Sequence, residues 1–572
     1  MDISQDLSLS GLDIGIMITY VVVMIWYGLS KAKRSSSEDY FLAGRDMTWP
    51  IVGISLFAAN ISSNTLTGLA GSAYKGGINV YNYEWMAAVV LVFFAIFFLP
   101  FYLRSRVYTM PEFLERRYDS RSRYYFSFIT VVGNVIVDIS SALYAGNLVL
   151  KIIFPEADSL LIVILLAFAA AAYTIPGGLS SVVHTEVIQA VLLVIGSVLL
   201  TYFAFEQVGS WEALTQTIQG RHDSGYLPNT PEYMWSLAGP TDDQTMPWTG
   251  LLFGVPLLGF YFWANNQFMV QRVLSAKSVD HGRWGAIFAG LLKLPVLLIM
   301  IIPGMLAIHL FADTDISFLN YDPQGTGEVC QNLIDCPNLT YPMLLFSLLP
   351  KGLLGLVLAG LLAAMSSSIS ATLNSASTLI TMDFVAKINP KLQGKSLVRI
   401  GQLITLILVI AAALWAPQIE NFPSLFDYLQ IVLSYISPPI VAVFVLGLFW
   451  KRANGNGAFV ALITGFSIAI FLLLSEVNGW VPGLNEVHFL HKAPILFLLC
   501  AAIQIAISLA TQAPSEEKIE GYIWKKELFQ AESQELKELP WYKNYRILSI
   551  ILLIITALIV IPFLDWGIMS GG

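Results

Sequence analysis

Two polar stretches in an otherwise apolar chain contain the residue types that could bind a hard monovalent cation. In the stretch 364–375, Ala364, Ser367 and Ser368 stand at positions i, i+3 and i+4, which lie on one face of a helix. A backbone carbonyl and two hydroxyl oxygens there suit Na+ without a fixed negative charge. The carbonyls of Ala58 and Ile61 would add two oxygens if a helix breaks at that point. The alternative is that small hydroxylated residues only help membrane helices to pack.

A few ionisable residues lie within apolar segments, where a charge is costly. Lys293 is ten residues from the nearest other charge and too central for its side chain to reach a membrane surface, so we expect it to have a function. Glu84 begins an apolar segment and, taken alone, could be interfacial. Asp138 and Glu186 also lie in apolar segments, whereas Asp383 is expected at an inner helix end, with a structural role.

The elements that must position these residues are membrane-spanning helices. Of the 572 residues, 12% are charged and 56% are hydrophobic, about half the charge of a soluble globular domain. About fourteen continuous apolar runs are long enough to cross a bilayer, which takes roughly 20 residues, and their continuity favours helices over a barrel. Their approximate limits are 12–30, 48–74, 84–103, 125–153, 159–175, 179–206, 248–270, 284–312, 352–384, 398–416, 422–449, 456–475, 493–511 and 547–567.

Helix-weakening polar patches interrupt two of these runs, at 55–68 and 254–267. Broken helices at matching places in two halves mark the binding sites of transporters. The pattern predicts an all-α polytopic membrane protein with a five-plus-five inverted repeat. The predicted parts are an extra N-terminal helix with the first inner loop (1–47), repeat 1 (48–206), an outer loop (207–247), repeat 2 (248–449) and three additional helices (450–572) with an inner loop at 512–546.

The basic residues predict the orientation, because they concentrate in cytoplasmic loops. With the N-terminus outside, the inward loops hold 25 of the 31 Lys and Arg residues. This distribution predicts an even number of spans and both termini outside. Cys330 and Cys336 share a long outer loop and could form a disulfide, although two free thiols are equally compatible with the sequence.

Several classes of function are excluded by the same composition. The net charge of −8 argues against a nucleic-acid partner. The six histidines are scattered and no catalytic cluster is recognisable, so we expect neither an enzyme nor a cofactor.

Several short strings, in order and spacing, resemble the sodium/solute symporter family and its sodium/glucose (galactose) cotransporter branch. The resemblance covers roughly residues 10–475. The matching strings are EDYFLAGR at 38–45, AANIS at 58–62, YEW at 83–85, YTMPEF at 108–113, QFMVQR at 267–272 with AKS at 276–278, LNS at 373–375 with TMD at 381–383, and SPP at 437–439 with FWKR at 449–452.

The resemblance implies fourteen helices, a core of the leucine-transporter type and Na+-driven sugar uptake by alternating access. It implies that the sodium site is formed by Ala58, Ile61, Ala364, Ser367 and Ser368. Some relatives hold a second sodium, whose acidic ligand resembles Glu186 here, with Ser367 and Ser370 as partners. Because Ala371 stands where a hydroxyl is expected, Glu186 could instead be a proton site or a transient ion site on the inner exit path.

The family's sugar-binding and gating residues carry over in part. The implied sugar contacts are Asn60, Glu84, Lys293 and Gln430, with Thr65 at a position where the branch usually has Gln or His. Glu84 and Lys293 could also balance each other's charge. The implied gates are Leu69, Tyr83 and Phe426 on the outer side and Tyr261 or Phe262 on the inner side. Gly259, Ala87 and Phe262 also depart from the branch, so the particular sugar stays open.

The expected function is therefore Na+-coupled uptake of a sugar or related neutral polyol across a plasma membrane, or the inner membrane if the source is bacterial. The expected partners are Na+, the sugar and the lipid bilayer, with the monomer as the functional unit. The alternatives are a sodium symporter for another small solute such as a carboxylate, or a sugar-gated sensor or channel.

Overall fold

The computed structural model describes residues 9–154, 157–319, 329–416 and 425–569, and this part of the chain is built of helices. Long apolar segments form them because a helix satisfies its own backbone polar groups. Large apolar side chains such as Leu558 (71% exposed) and Phe168 (67% exposed) face outward, which suits contact with lipid.

The first half contains α1–α12. Their bounds are Gly11–Ser30, Ser37–Leu42, Trp49–Asn60, Ser63–Gly76, Asn82–Phe97, Leu99–Ser105, Met110–Arg117, Ser120–Gly133, Ser140–Ile153, Ser159–Val208, Trp211–Asp223 and Pro231–Met234.

The second half contains α13–α28. Their bounds are Trp248–Phe260, Gln267–Leu274, Val279–Lys293, Ile302–Phe311, Thr340–Leu348, Leu353–Leu379, Ala386–Ile388, Lys395–Trp415, Leu425–Phe449, Gly455–Asn478, Pro482–Asn485, Phe489–Ala510, Glu516–Ile519, Lys526–Lys537, Tyr545–Val560 and Trp566–Met569. Four π-helical segments continue long helices, at Asn134–Ile139, Tyr261–Asn265, Leu297–Ile301 and Ile380–Val385. Short 3-10 turns occur at Ala43–Arg45, Gly77–Tyr81, Ser317–Leu319, Pro337–Leu339 and Ile561–Phe563.

The membrane spans are assembled from these helices. In the described residues, ten helical stretches are long and apolar enough to cross a membrane, or eleven if α15 and α16, bent by 41°, form one span. The 50 residues of α10 would extend about 75 Å, far more than one crossing needs, and the chain breaks at Gly178 (φ +61). The chain turns again at Gly77 (φ +83), between α4 and α5. If the chain is divided at these glycines and the interrupted pair α13–α14 is counted as one span, the described helices are compatible with the fourteen spans that the sequence predicts.

Two spans are interrupted where the polar patches predict it. The first consists of α3 and α4, separated at Ile61 and Ser62. The second consists of α13 and its π-helical extension, separated from α14 at Asn266, which has an extended backbone (φ −69, ψ 128) and caps α14. Each break lies between buried helices, where irregular backbone is tolerated inside a membrane protein.

The two ends of the bundle differ in charge and in loop structure. One end, called the basic side, carries buried arginines between helix ends: Arg123 pairs with Asp383 (Nε–Oδ1 3.0 Å), which also accepts from Thr109 at 2.7 Å. The opposite end, called the disulfide side, carries the Cys330–Cys336 disulfide. The pairing predicted as one of two alternatives is thus the one in the structure.

Arg117 fastens α7 to the end of α21 on the basic side. Its fully buried guanidinium donates to the carbonyls of Gly447 (2.7 Å), Ala453 (2.9 Å) and Trp450 (3.1 Å). Carbonyls at a helix C-terminus have no partner within the helix, so these bonds satisfy groups that would otherwise be unpaired.

We expect Arg117→Leu to lower the stability of the folded protein by at least about 2 kcal/mol, because it leaves several buried acceptors without a donor. Thermal unfolding in detergent, followed by tryptophan fluorescence, measures the change. The matched control is Arg121→Leu, because Arg121 is half exposed and bonds to the side chains of Asp119 and Asn456 rather than to carbonyls at a helix end. Equal melting temperatures for the two variants would contradict the role assigned to Arg117.

Candidate functional site

The first helix break exposes backbone oxygens in the interior of the bundle. Ile61 has an extended backbone (φ −88, ψ 99), and its amide still donates to Phe57 O at 3.2 Å. The next amide, of Ser62, donates to Thr65 Oγ1 at 3.3 Å and so leaves the helical pattern. Ser62 in turn caps α4 through the amide of Thr65. The break therefore ends the helical bonding of α3 and frees carbonyls near its end.

Helix α18 lies directly against these freed carbonyls. The Ser367 hydroxyl donates to Ala58 O and the Ser368 hydroxyl to Ala59 O, both at 3.3 Å. Ala58, Ile61 and Ala364 are buried in the same cluster. Of the five residues predicted as sodium ligands, Ala58 and Ser367 are thus joined directly, and Ser368 bonds to the carbonyl next to that of Ala58. The oxygens at this contact are neutral groups of the kind Na+ accepts.

A cavity of about 190 Å³ adjoins this contact. It lies between the first break, α5, the α8–α9 span, the end of α13, α18 and α21. Ser368 lines the cavity as well as the candidate ion site, so the two share a wall. The other principal polar residues that line the cavity are Asn60, Ser62, Asn64, Thr65, Glu84, Thr130, Asn134, Asp138, Ser141, Asn266, Thr372 and Gln430.

Glu84 and Lys293 form a buried ion pair at the edge of this cavity. Both are at least 94% buried as side chains, and Lys293 also donates to the Asn60 side chain. Asn60 directly precedes the break, so the cluster ties α5 and α15 to the end of α3. A buried pair is tolerated in the membrane because each charge has its partner, and here it leaves the wall without net charge.

The other implied sugar and gate residues fall into three groups. Thr65 and Gln430 line the cavity together with the implied gates Tyr83, Tyr261 and Phe262. Leu69 is fully buried in α4 and is not a lining residue. The side chain of Phe426 lies outside the described part of the structure.

Glu186 is buried next to the candidate ion site, because its carboxylate contacts the hydroxyl of its implied partner Ser367. It forms a two-point ion pair with Arg272 (Nε–Oε2 3.2 Å) and accepts from Ser55 of α3. Its implied partner Ser370 instead donates to Tyr173 at 2.8 Å. In the sequence, Arg272 counts among the basic residues of the inward loops, so its burial and its pairing with Glu186 were not predicted.

The chain from residue 40 to 465 matches the model of the sodium:solute symporter family. The chain belongs to this family. Curated relatives include sodium/glucose cotransporter 4 of Danio rerio, 34% identical over 95% of this chain and 85% of its own length. The sodium/mannose cotransporter of Bos taurus is 38% identical over 90% of this chain and 89% of its own length. Sodium/myo-inositol cotransporter 2 of Oryctolagus cuniculus is 35% identical over 90% of this chain and 78% of its own length.

Solved structures support the fold of this symporter. A Na+-coupled sialic acid symporter in a substrate-bound outward-open state is 22% identical and has a TM-score of 0.71, covering 88% of this chain and 99% of the other. The nucleobase-cation symporter Mhp1 in a closed conformation is 11% identical and has a TM-score of 0.50, covering 86% of this chain and 99% of the other. The fold is thus the leucine-transporter type, with two interrupted helices in its core, as the sequence predicts.

We expect Lys293→Met to destabilise the protein by about 3–5 kcal/mol, because it leaves the Glu84 carboxylate buried without a cation. The double variant Glu84→Gln/Lys293→Met should recover most of that loss, since no unpaired charge remains. Thermal unfolding of both variants and of Glu84→Gln tests the coupling. Strictly additive losses would show that the two side chains do not depend on each other.

Proposed function

We propose that this symporter couples Na+ entry to the uptake of a sugar or related neutral polyol by alternating access. One observation carries the proposal: a single helix break serves both sites. Ala58 and Ala59 turn carbonyls towards Ser367 and Ser368, and the next residue, Asn60, contacts Lys293 at the cavity. An ion bound on the α18 side of the break would therefore also hold in place the residues of the break that line the sugar cavity.

The cavity favours a neutral, hydroxylated substrate. The Glu84–Lys293 pair has no net charge, and the described lining residues include no Lys or Arg that could pair with a carboxylate substrate. Amide and hydroxyl side chains such as Asn60, Thr65 and Gln430 can each donate and accept hydrogen bonds, as sugar hydroxyls require. The names of the curated relatives, which include glucose, mannose and myo-inositol cotransporters, agree with this class.

The ion-binding step of the proposed mechanism depends on ligands from two helices that move relative to each other. Na+ held by Ala58, Ile61, Ala364, Ser367 and Ser368 keeps the broken helix against α18 and completes the sugar pocket. Inward opening separates these ligands and releases the ion. The coupling between the two sites is then a reciprocal free energy of about 1–3 kcal/mol. Each Na+ contributes about 2.3 kcal/mol per 100 mV of membrane potential.

The same proposal assigns the basic side to the cytoplasm and both termini to the outside of a plasma membrane. It retains the division into repeat 1 (48–206) and repeat 2 (248–449), each beginning with an interrupted helix. The Arg272–Glu186 pair lies below the sodium ligands and joins α14 to α10, so it stands on the inner side of the ion site. We assign this pair to the closure of the inner side; Ser370 donates its hydrogen bond to Tyr173 and not to Glu186.

Uptake of labelled sugars into proteoliposomes tests the proposal. We expect accumulation above the external concentration with an inward Na+ gradient, and only equilibration without one, because the ion gradient supplies the free energy. A panel of hexoses, pentoses, inositols and uronates defines the substrate. Ligand-evoked current without accumulation would indicate a sensor or channel, and accumulation of uronates alone would indicate a carboxylate symporter.

We expect Ser368→Ala to abolish the Na+ stimulation of uptake, because it removes one of the five proposed ligands. The half-maximal Na+ concentration of uptake should rise by at least about 10-fold, since a lost ligand to a charged group costs about 1.5–3 kcal/mol. Ser366→Ala is the matched control, as Ser366 lies in the same helix outside the cavity lining. Undiminished Na+ stimulation in Ser368→Ala would refute the assigned site.

A further inference from the structure

A row of polar side chains follows one face of the α8–α9 span towards the cavity. Thr130, Asn134 and Asp138 stand four residues apart, and Ser141 follows three residues later. All four line the cavity, and none of them is among the sodium, sugar or gate residues that the family resemblance implies. The row extends over about 16 Å of helix.

Two buried atoms beside this row have no hydrogen-bond partner within the described structure. Thr130 is 5% exposed and its Oγ1 is unpaired, and Asn64 is 7% exposed with an unpaired Oδ1. The Asn64 amide nitrogen is already held by Ser141 Oγ at 2.8 Å, which orients the free oxygen. Unpaired polar atoms in a buried wall are costly, so their presence at a cavity indicates a ligand that completes them.

Asp138 is a carboxylate in this wall without a cation. No Lys or Arg among residues 9–154, 157–319, 329–416 and 425–569 forms an ion pair with it. With the Asn134 amide oriented to satisfy its neighbours, Nδ2 donates to Asp138 Oδ2 at 3.3 Å. The remaining lone pairs of the two Asp138 oxygens can accept hydrogen bonds.

The backbone also departs from an α-helix at this position. Asn134–Ile139 is π-helical, and Asn134 and Asp138 both lie within it. Single π-helical turns inside α-helices are frequent at functional sites, because they redirect side chains. The departure therefore affects the two residues with the strongest hydrogen-bonding groups of the row.

We propose that Asp138, supported by Asn134, is a sugar-contacting residue that accepts hydrogen bonds from substrate hydroxyl groups. This inference rests on the proposed function and extends it by a second recognition wall. Acceptors dominate this wall, and a polyol offers hydroxyl donors at neighbouring carbons. The wall compensates for Gly259, which has no side chain that could recognise a hydroxyl group.

The assignment is tested by a double-mutant cycle that combines substitutions of Asp138 with sugar analogues that lack one hydroxyl group. Full-length protein in proteoliposomes takes up its preferred labelled sugar under a Na+ gradient, and deoxy analogues compete. In the unaltered protein, we expect removal of one particular hydroxyl to weaken competition by at least about 10-fold, as for a hydrogen bond to a charged group. In Asp138→Ala, the parent sugar and that deoxy analogue should differ by less than about 2-fold, and Asp138→Asn should be intermediate.

The control for loss of a carboxylate is Asp158→Asn, since Asp158 caps α10 outside the cavity and Asn can replace it as a cap. In this variant, removal of each sugar hydroxyl should weaken competition as much as it does in the unaltered protein. The half-maximal Na+ concentration should stay within about 2-fold in Asp138→Asn, which keeps the volume of the side chain.

Three results would overturn the inference. If each deoxy analogue loses the same fold of competition in all variants, Asp138 contacts no sugar hydroxyl. A preference for an amino analogue over the hydroxylated sugar that disappears in Asp138→Asn would show a cation site. If the half-maximal Na+ concentration changes in the Asp138 variants while the deoxy analogues lose the same fold of competition as before, Asp138 acts on the ion and not on the sugar. Absence of Na+-driven sugar uptake by the unaltered protein would instead overturn the proposed function, and this inference with it.

Discussion

The interruption of the first core helix at Ile61 and Ser62 is the constraint on which the rest of the site depends. In a membrane, backbone groups that leave the helical pattern must find partners within the protein. Thr65 and Ser62 satisfy the start of α4, and Ser367 and Ser368 bond to carbonyls at the end of α3. The break thus requires α18 as a neighbour, and the same oxygens that need donors here can serve a cation.

The buried charges show how the surrounding helices are held in place. Glu84–Lys293, Glu186–Arg272 and Asp383–Arg123 each join different helices of the bundle. A buried charge is tolerated when its partner is close, and such pairs define which helices are neighbours. Among the described residues, Asp138 has no such cation and faces the cavity. Asp138 therefore differs from the acidic residues of these three pairs in having no cation within the described structure to hold its side chain in place.

Much of the fold could be predicted because lipid imposes simple rules on a sequence. Continuous apolar runs of sufficient length predict the spans, and polar patches within two of them predict the interruptions at 61–62 and at Asn266. The candidate sodium ligands were recognisable for the same reason, since Ala364, Ser367 and Ser368 share a helix face. The positions of Arg272 and Arg123 could not be predicted, because arginines in short stretches after a span look like ordinary cytoplasmic residues. Only packing shows that they are buried.

The sequence by itself determined the membrane class, the all-helical fold, the two interruptions and the residue types at the candidate sites. Each of these follows from local composition and spacing. Tertiary structure alone decided which residues meet across the chain. Lys293 reaches Glu84 and Asn60 although more than two hundred residues separate them, and Thr130, Asn134 and Asp138 face the same cavity as these residues. Such contacts depend on how helices pack, and helix packing is a property of all the neighbouring surfaces together rather than of one segment.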